Sequence, residues 1–469
     1  MTGGFSFWDI EVWSFIITIS LLLGAMMLAN VFLKKIPFLK KSLIPASVLG
    51  GFIILLADAG FRRIFGRSMF DLKVLESLTY HGLGLGFVAL AWRHLDGVKG
   101  KEARKDVFNT STITVGGYLL QGVAGLAITI VLSKLVGCFA AGGAILPMGY
   151  GQGPGQAFNW GTIYEQQNGF QYGSSFGLTV AALGFVSACV GGVFRLDRMR
   201  REGNPKASVP EEGFKEDLSA ERITGGNEIP VSETMDKLTV QFALVFGTYL
   251  IAFASMWLLY RFVFLPSDSN LLLNTVNPLI WGFNFLIGTA WAILFKGVGD
   301  GLRKKGIMKR SYTNNFMLNR ISGLMFDLMV VASIAAIDLS AFSHAEFIIP
   351  LLLLCTVGAL ITYLYCKWQC TRLFPGYSDE MFLAMYGMLT GTASTGIILL
   401  REIDPLFKTP ASHNLIYQNL WSIVLGAPML LIMSSIPGAE GKSLLILTAL
   451  FAFILALQFR DGIKKIIRK

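Results

Sequence analysis

The feature that most constrains this chain is a series of long stretches with no charged side chain. Val12 to Leu33, Val107 to Ser133, Leu238 to Tyr260, Ser269 to Phe295, Asn414 to Ala439 and Ser443 to Phe459 are uncharged, and so is Phe347 to Cys366. A helix needs about 20 mostly apolar residues to cross the hydrocarbon core of a bilayer. Shorter or interrupted runs lie at Ser42 to Ala57, Ser77 to Trp92, Phe176 to Phe194 and Ile321 to Ile337, the last with Asp327 inside it. The expectation is an all-α polytopic membrane protein with about eleven transmembrane helices. Only 15% of the 469 residues are charged, against about 25% in a soluble domain. A net charge of +10 fits a nucleic-acid binder when the basic residues share one face. Here the uncharged runs keep them apart, so no nucleic-acid partner is expected.

Lys and Arg concentrate in cytoplasmic loops, and that bias sets orientation. With the N-terminus outside, the segments 34–41, 93–107, 195–237, 296–320, 367–378, 401–412 and 460–469 are cytoplasmic and hold 33 of the 40 Lys and Arg. Only Arg62, Arg63, Arg67, Lys73, Lys134, Arg261 and Lys442 fall outside. The expected topology is N-out and C-in. Two neutral runs cannot be full crossings in it. One covers about 135–165, between an outward exit near Ser133 and a return span ending at Arg195. The other covers about 379–400, between two cytoplasmic loops. Each leaves on the side it enters, and the two enter from opposite faces. Both are rich in small and polar residues, Met148-Gly-Tyr-Gly-Gln-Gly-Pro-Gly-Gln156 and Gly387-Met-Leu-Thr-Gly-Thr-Ala-Ser-Thr-Gly396. Non-helical backbone at membrane depth is tolerated only inside protein or along an aqueous cavity, so these runs read as re-entrant hairpins.

The chain then divides into two inverted five-helix repeats. Residues 1–196 carry helices near 12–33, 43–61, 76–92, 110–133 and 173–195; residues 238–436 carry helices near 238–262, 272–295, 319–340, 347–366 and 413–435. A proline opens the second helix of each half, at Pro45 and Pro278. An odd number of crossings per half inverts the second half, a plan typical of secondary transporters. The segment 197–237, with seven Lys/Arg, ten Asp/Glu and three prolines, reads as a cytoplasmic linker. Residues 437–469 add one further helix and a basic cytoplasmic tail.

Ile44-Pro-Ala-Ser-Val-Leu-Gly-Gly51, Gly149-Tyr-Gly-Gln-Gly-Pro-Gly155, Asn159-Trp-Gly161, the helix ending in Gly191-Gly192 and Gly391-Thr-Ala-Ser-Thr395 carry a likeness. Over roughly residues 8–440 the chain resembles the bacterial sodium/glutamate symporter family. The resemblance implies ten helices plus two oppositely inserted hairpins, a homodimer in the bacterial inner membrane, and sodium-coupled glutamate uptake by elevator-like alternating access. Tyr150, Gln152 and Pro154 stand where the family has Gly, His and Thr, and Ser394 where it has Pro. A sodium- or proton-coupled carrier of a dicarboxylate or other organic anion therefore remains the alternative.

Glycine runs let a ligand approach backbone N–H groups closely, and a helix N-terminus suits a carboxylate. Gly149, Gly151, Gly153 and Gly155 with Gln152, Gln156 and Asn159 are the candidate substrate-binding residues of the first tip. Gly391, Thr392, Ser394 and Thr395 are those of the second. Hydroxyls and freed carbonyls hold a hard cation such as Na⁺, so Thr392, Thr395 and Asp327 are the candidate ligands of a coupling ion. For Asp327 a structural pairing with a neighbouring helix stays open, and His81 reads as a satisfied core histidine or a proton carrier. Glycine pairs such as Gly50-Gly51 and Gly116-Gly117 read as helix packing. The five cysteines set no disulfide framework. Gly149–Gly155 lacks the Lys-Ser/Thr of a phosphate loop, and no nucleophile–base cluster points to an enzyme or an organic cofactor. The absence of a charged ring argues against a channel. The expected partners are a small anionic substrate and membrane lipid.

Overall fold

The computed structural model describes residues 10–94, 100–203, 235–267, 269, 272–308, 310–405 and 408–460. Most of the expected linker, 204–234, and the tail 461–469 lie outside the described residues. Every regular element among the described residues is helical. The first stretch holds α1 (Ile10–Lys35), α2 (Pro37–Ser42), α3 (Ala46–Phe65), α4 (Leu72–Trp92) and α5 (Lys101–Val136). Next come α6 (Ile145–Gly151), α7 (Pro154–Asn168) and α8 (Gly173–Arg201). Beyond the linker are α9 (Lys237–Leu259), α10 (Asn277–Gly282), α11 (Asn284–Lys304), α12 (Asn315–Ala335) and α13 (Ala345–Leu373). The last are α14 (Ser378–Thr390), α15 (Ala393–Arg401), α16 (Ala411–Tyr417), α17 (Asn419–Ile432) and α18 (Glu440–Gln458).

Nine of the described helices are long and apolar enough to cross a membrane, or ten if a pair bent by 51° near residues 411–435 is one span. Many apolar side chains on them face outward, among them Met27, Phe253, Leu360 and Leu445. Soluble proteins rarely expose such surface over large areas. The chain has the architecture of a multi-pass membrane protein. Against the eleven expected spans, α3 is the one that falls short: every 18-residue window in it contains Asp58, Arg62 and Arg63. These charges are held locally. The buried Asp58 carboxylate accepts from Arg62 Nε at 2.6 Å, Ser68 Oγ at 2.9 Å and Met69 N at 2.6 Å, so the end of α3 ties to the loop after it. The run expected as one helix over 272–295 is instead α10 followed by α11, which continues to Lys304.

The chain forms two compact units, and each draws on both halves of the sequence. One consists of Met1–Leu75, Val98–Val209 and Val331–Lys469, the other of Glu76–Gly97 and Pro210–Val330. In the first unit α8 packs against α6, α7, α13, α14 and α15. Its sequence explains this reach: glycines and alanines at Gly177, Ala181, Gly184, Ala188 and Gly192 keep its surface low. In the second unit Leu85, Val88, Ala89, Val245, Ala292 and Ile321 form the apolar core. Trp92 Nε1 donates to Thr248 Oγ1 at 3.0 Å, and Lys296 Nζ donates at 2.9 Å to the carbonyls of Ala91 and Arg93, capping the C-terminal end of α4 with a positive charge. His81 Nδ1 meets Tyr249 Oη at 3.0 Å, and Asn284 Nδ2 donates to the same oxygen at 3.0 Å.

Candidate functional site: two broken helices meeting halfway along α8

With α8 as a ruler, the two glycine-rich runs become hairpins that advance from opposite ends. The first starts at Phe139, stacked on Phe170 at 4.6 Å beside the start of α8. It advances through Ala140–Ala144 and α6 until Tyr150 Oη reaches Ser187 Oγ at 2.9 Å. The chain turns at Gln152-Gly153 and comes back as α7, whose Ala157 backbone lies against Gly177 and whose Gly161 lies against Gly173. The second hairpin starts at the other end, where Arg195 donates to Asp379 Oδ1 at 2.6 Å. Tyr386 Oη then donates to Ser187 O at 3.1 Å, and Thr390 O lies against Gly184. After the turn at Gly391-Thr392, α15 returns with Leu399 against Gly192. Gly184 stands midway between Gly173 and Arg195, about 16 Å from each at 1.5 Å per residue. Both turns therefore lie at the middle of a 29-residue helix.

The turns touch. A Cβ on Gly153 would stand 3.6 Å from Thr392 Cγ2 and 4.0 Å from Gly391 O. Gly153 is the N-cap of α7, with Pro154 at the first helical position, and Thr392 is the N-cap of α15. Gly153 has φ +85° and ψ −179°, a conformation that only glycine adopts without strain. Thr392 instead caps with its side chain, Oγ1 accepting from Thr395 N at 3.4 Å. Two helix N-termini, each with N–H groups left over from the helical ladder and a partial positive charge, thus abut. The C-terminal ends of α6 and α14 lie at the same level. This juxtaposition can hold a carboxylate at the N-termini and a hard cation at the carbonyls.

The other candidates divide by environment. Gly149 packs on Val180 and Ala181 of α8, and Gly151 on the Tyr118 ring, so both serve close packing. Gly155 is buried in the first turn of α7. Gln156 and Asn159, three residues apart and so on one face of α7, are 1% and 5% exposed. Gln152 and Thr392 are half-buried, Thr395 is buried and Ser394 is exposed. The Thr392 and Thr395 hydroxyls lie 3.3 Å apart, close enough to share a cation. Asp327 belongs to the second unit, where it is exposed on α12. Among the described residues no group of three or more His, Cys, Asp or Glu has metal-binding geometry.

Two residues at this junction escaped the motif reading. Gln121 on α5 is fully buried; its Nε2 donates at 2.9 Å to Leu389 O, in the last turn of α14, and to Thr362 Oγ1. Its Oε1, 3.4 Å from where a Cβ on Gly151 would be, has no hydrogen-bond partner among the described residues. The available signal was a glutamine inside an uncharged span. Tyr150 is also fully buried, and its hydroxyl donates to Cys355 O at 2.7 Å. It therefore fastens α6 to α13. Where the second hairpin begins, burial by itself would raise the Asp379 carboxyl, but the Arg195 bond and charge, with Lys367 at 3.4 Å, hold it below the usual carboxylate range.

Comparison with known proteins gives no matching family model and no significant curated match. The geometry of the site and the motifs carry the functional argument.

Proposed function

We propose that the chain is a secondary active transporter of the sodium/glutamate symporter kind, carrying glutamate or a related small carboxylate together with Na⁺. One observation carries this reading: two hairpins advance from opposite ends of α8 and bring the N-termini of α7 and α15 together at its middle. Broken helices meeting at mid-depth are how transporters bind an anion at helix N-termini and an ion at freed carbonyls. In this reading the hairpins are re-entrant, the halves are inverted repeats in an N-out, C-in topology, and the protein works as a homodimer in a bacterial inner membrane. Both hairpins lie in one compact unit, so the substrate site travels as one body in an elevator-like cycle. Gln152 and Thr392 are the side chains placed to touch substrate, and the Thr392 and Thr395 hydroxyls those placed to touch Na⁺.

The test is uptake into proteoliposomes of purified protein. An inward Na⁺ gradient is expected to drive accumulation of labelled glutamate, and Gln152→Ala and Thr392→Ala are each expected to raise the KM for substrate or Na⁺. Accumulation of a dicarboxylate but not glutamate would move the substrate assignment to the alternative. Uptake by both variants with unaltered affinities would remove the tips from the site.

A further inference from the structure

A cavity lies apart from the tips, in the same compact unit, where α5 and α7 end and α13 begins. It is open on one side and has a volume of about 350 Å³, at the small end of the 300–1,000 Å³ typical of small-molecule sites. Aromatic rings form part of its walls. Phe139 and Phe170 stack at 4.6 Å, and the Tyr172 ring lies 5.4 Å from His344 and 6.4 Å, edge-on, from Phe347.

Its electrostatics lean one way. The 36-residue α5 ends at Gly137 and α7 ends at Gly169, and both glycines line the cavity. Each helix end brings carbonyls without ladder partners and a partial negative charge. Glu346, an exposed residue at the rim in the first turn of α13, adds a carboxylate that more than offsets the partial positive charge of that helix's N-terminus. Among the described residues Glu346 has no ion-pair partner. Among the described residues no Lys or Arg lines the cavity, though the His344 ring does; the Lys or Arg nearest in sequence is Lys134, in the last turn of α5.

Negative helix ends, a carboxylate and ring faces attract the same species. We infer that this cavity binds a small organic cation, an alkylammonium held against the Phe139 and Tyr172 rings, with Phe170 stacked behind Phe139, and with its charge toward Glu346 and the ends of α5 and α7. An inorganic ion is the poorer fit, because it fills little of the volume and gains least from aromatic faces, which favour cations that shed water readily. The site does not depend on the transport reading, since none of its residues is at the tips.

Calorimetric titration of the full chain in detergent with tetramethylammonium chloride, against equal NaCl, decides the matter. Saturable binding to one site per chain is expected for tetramethylammonium and not for sodium. Glu346→Gln is expected to weaken it about fivefold or more, and so is Tyr172→Asn, in line with the strength of cation–ring and partly exposed charge interactions. Asparagine is chosen because Tyr172 has φ +59°, which asparagine tolerates. Glu102→Gln, at the opposite end of α5, is expected to change nothing. Absence of saturation, equal binding of sodium, or unchanged affinity in a folded Glu346→Gln or Tyr172→Asn protein would each overturn the assignment.

Discussion

The two hairpins reach the same point by different construction. The first interlocks with its neighbours through backbone: Gly143 meets Gly125 of α5, Gly161 meets Gly173, and the Ala157 backbone meets Gly177 of α8. The second interlocks chiefly with itself, Gly396 lying on Ala384 and Gly387 across its own two arms. Its ties to α8 run through side chains, Asp379 to Arg195 and Tyr386 to Ser187 O, until Thr390 O meets Gly184 at the tip. The first hairpin is thus held to α8 by backbone contact, the second by side chains: an ion pair, a phenol and a buried apolar face that includes Phe382, Met385 and Leu389. The tip of the second is also the more open: Ala393 and Ser394 are exposed, while residues 149–156 are buried apart from half-buried Gln152.

The largest expected effect tests the first hairpin. Gly161→Ala places a Cβ 2.2 Å from Gly173 O, so α7 must leave α8, at a cost near the upper end of the roughly 1–3 kcal/mol of overpacking. A thermal melt in detergent should show it as a clear fall in Tm. An unchanged Tm would mean that the first hairpin is not fused to α8.

Asp379→Asn tests the hairpin held by side chains. It leaves the Arg195 guanidinium, 7% exposed, with Glu202 at 3.8 Å as its remaining counter-charge. Removing one member of a fully buried pair costs roughly 3–5 kcal/mol; about 2 is expected here, since Arg195 keeps a partner and Asp379 is partly exposed. Labelling of a cysteine introduced by Ser394→Cys should accelerate, and labelling at Gln152→Cys should not. Because the Asp379 carboxyl is held below its ordinary value, its contribution is present above the unfolded value near 3.9 and is lost as pH falls through the lower folded value. With Asp379 intact, the Ser394→Cys protein should show accelerated labelling only in strong acid, read with an aromatic disulfide that reacts with thiols at low pH, and adding Asp379→Asn should remove that step.

The turns themselves give the next contrast. Gly153→Ala forces a side chain to φ +85°, a strain of about 1–2 kcal/mol, and should abolish substrate-induced stabilisation. Gly391→Ala keeps a negative φ and sets a Cβ 3.0–3.1 Å from Thr395 Oγ1, Gly387 O and Phe185, so an overpacking cost of about 1 kcal/mol is expected with substrate-induced stabilisation retained. Loss of that stabilisation in both variants would erase the distinction between the turns. The smallest effect concerns the cap: Thr392→Ala should cost about 0.5–1 kcal/mol and Thr392→Ser almost nothing, read from melts and from KM.

Much of this was legible in the residues. Gly153-Pro154-Gly155 cannot continue a helix, and a break falls there; Gly391-Thr392 marks the other. What escaped were features that depend on partners distant in sequence. Gln121 looked like one polar residue in a neutral span, and only the arrival of Leu389 O, 268 positions away, places it at the junction. Tyr150 looked like a departure from a glycine motif, and its bond to Cys355 O makes it a fastener. Asp327, the charge that stood out within a span, is exposed on α12. Asp58, the charge that ends the neutral run Ser42 to Ala57, is buried and triply bonded.

By itself the sequence determined the class and the breaks: uncharged runs of helical length, and φ preferences at Gly153 and Thr392, act within a few residues and need no fold to be expressed. Tertiary structure alone decided that the breaks face each other midway along α8, which hairpin meets α8 through backbone and which through side chains, and which carbonyl Gln121 holds. Those outcomes depend on the close approach that glycines such as Gly177 and Gly184 allow, and a glycine in the sequence does not say what will come to lie against it.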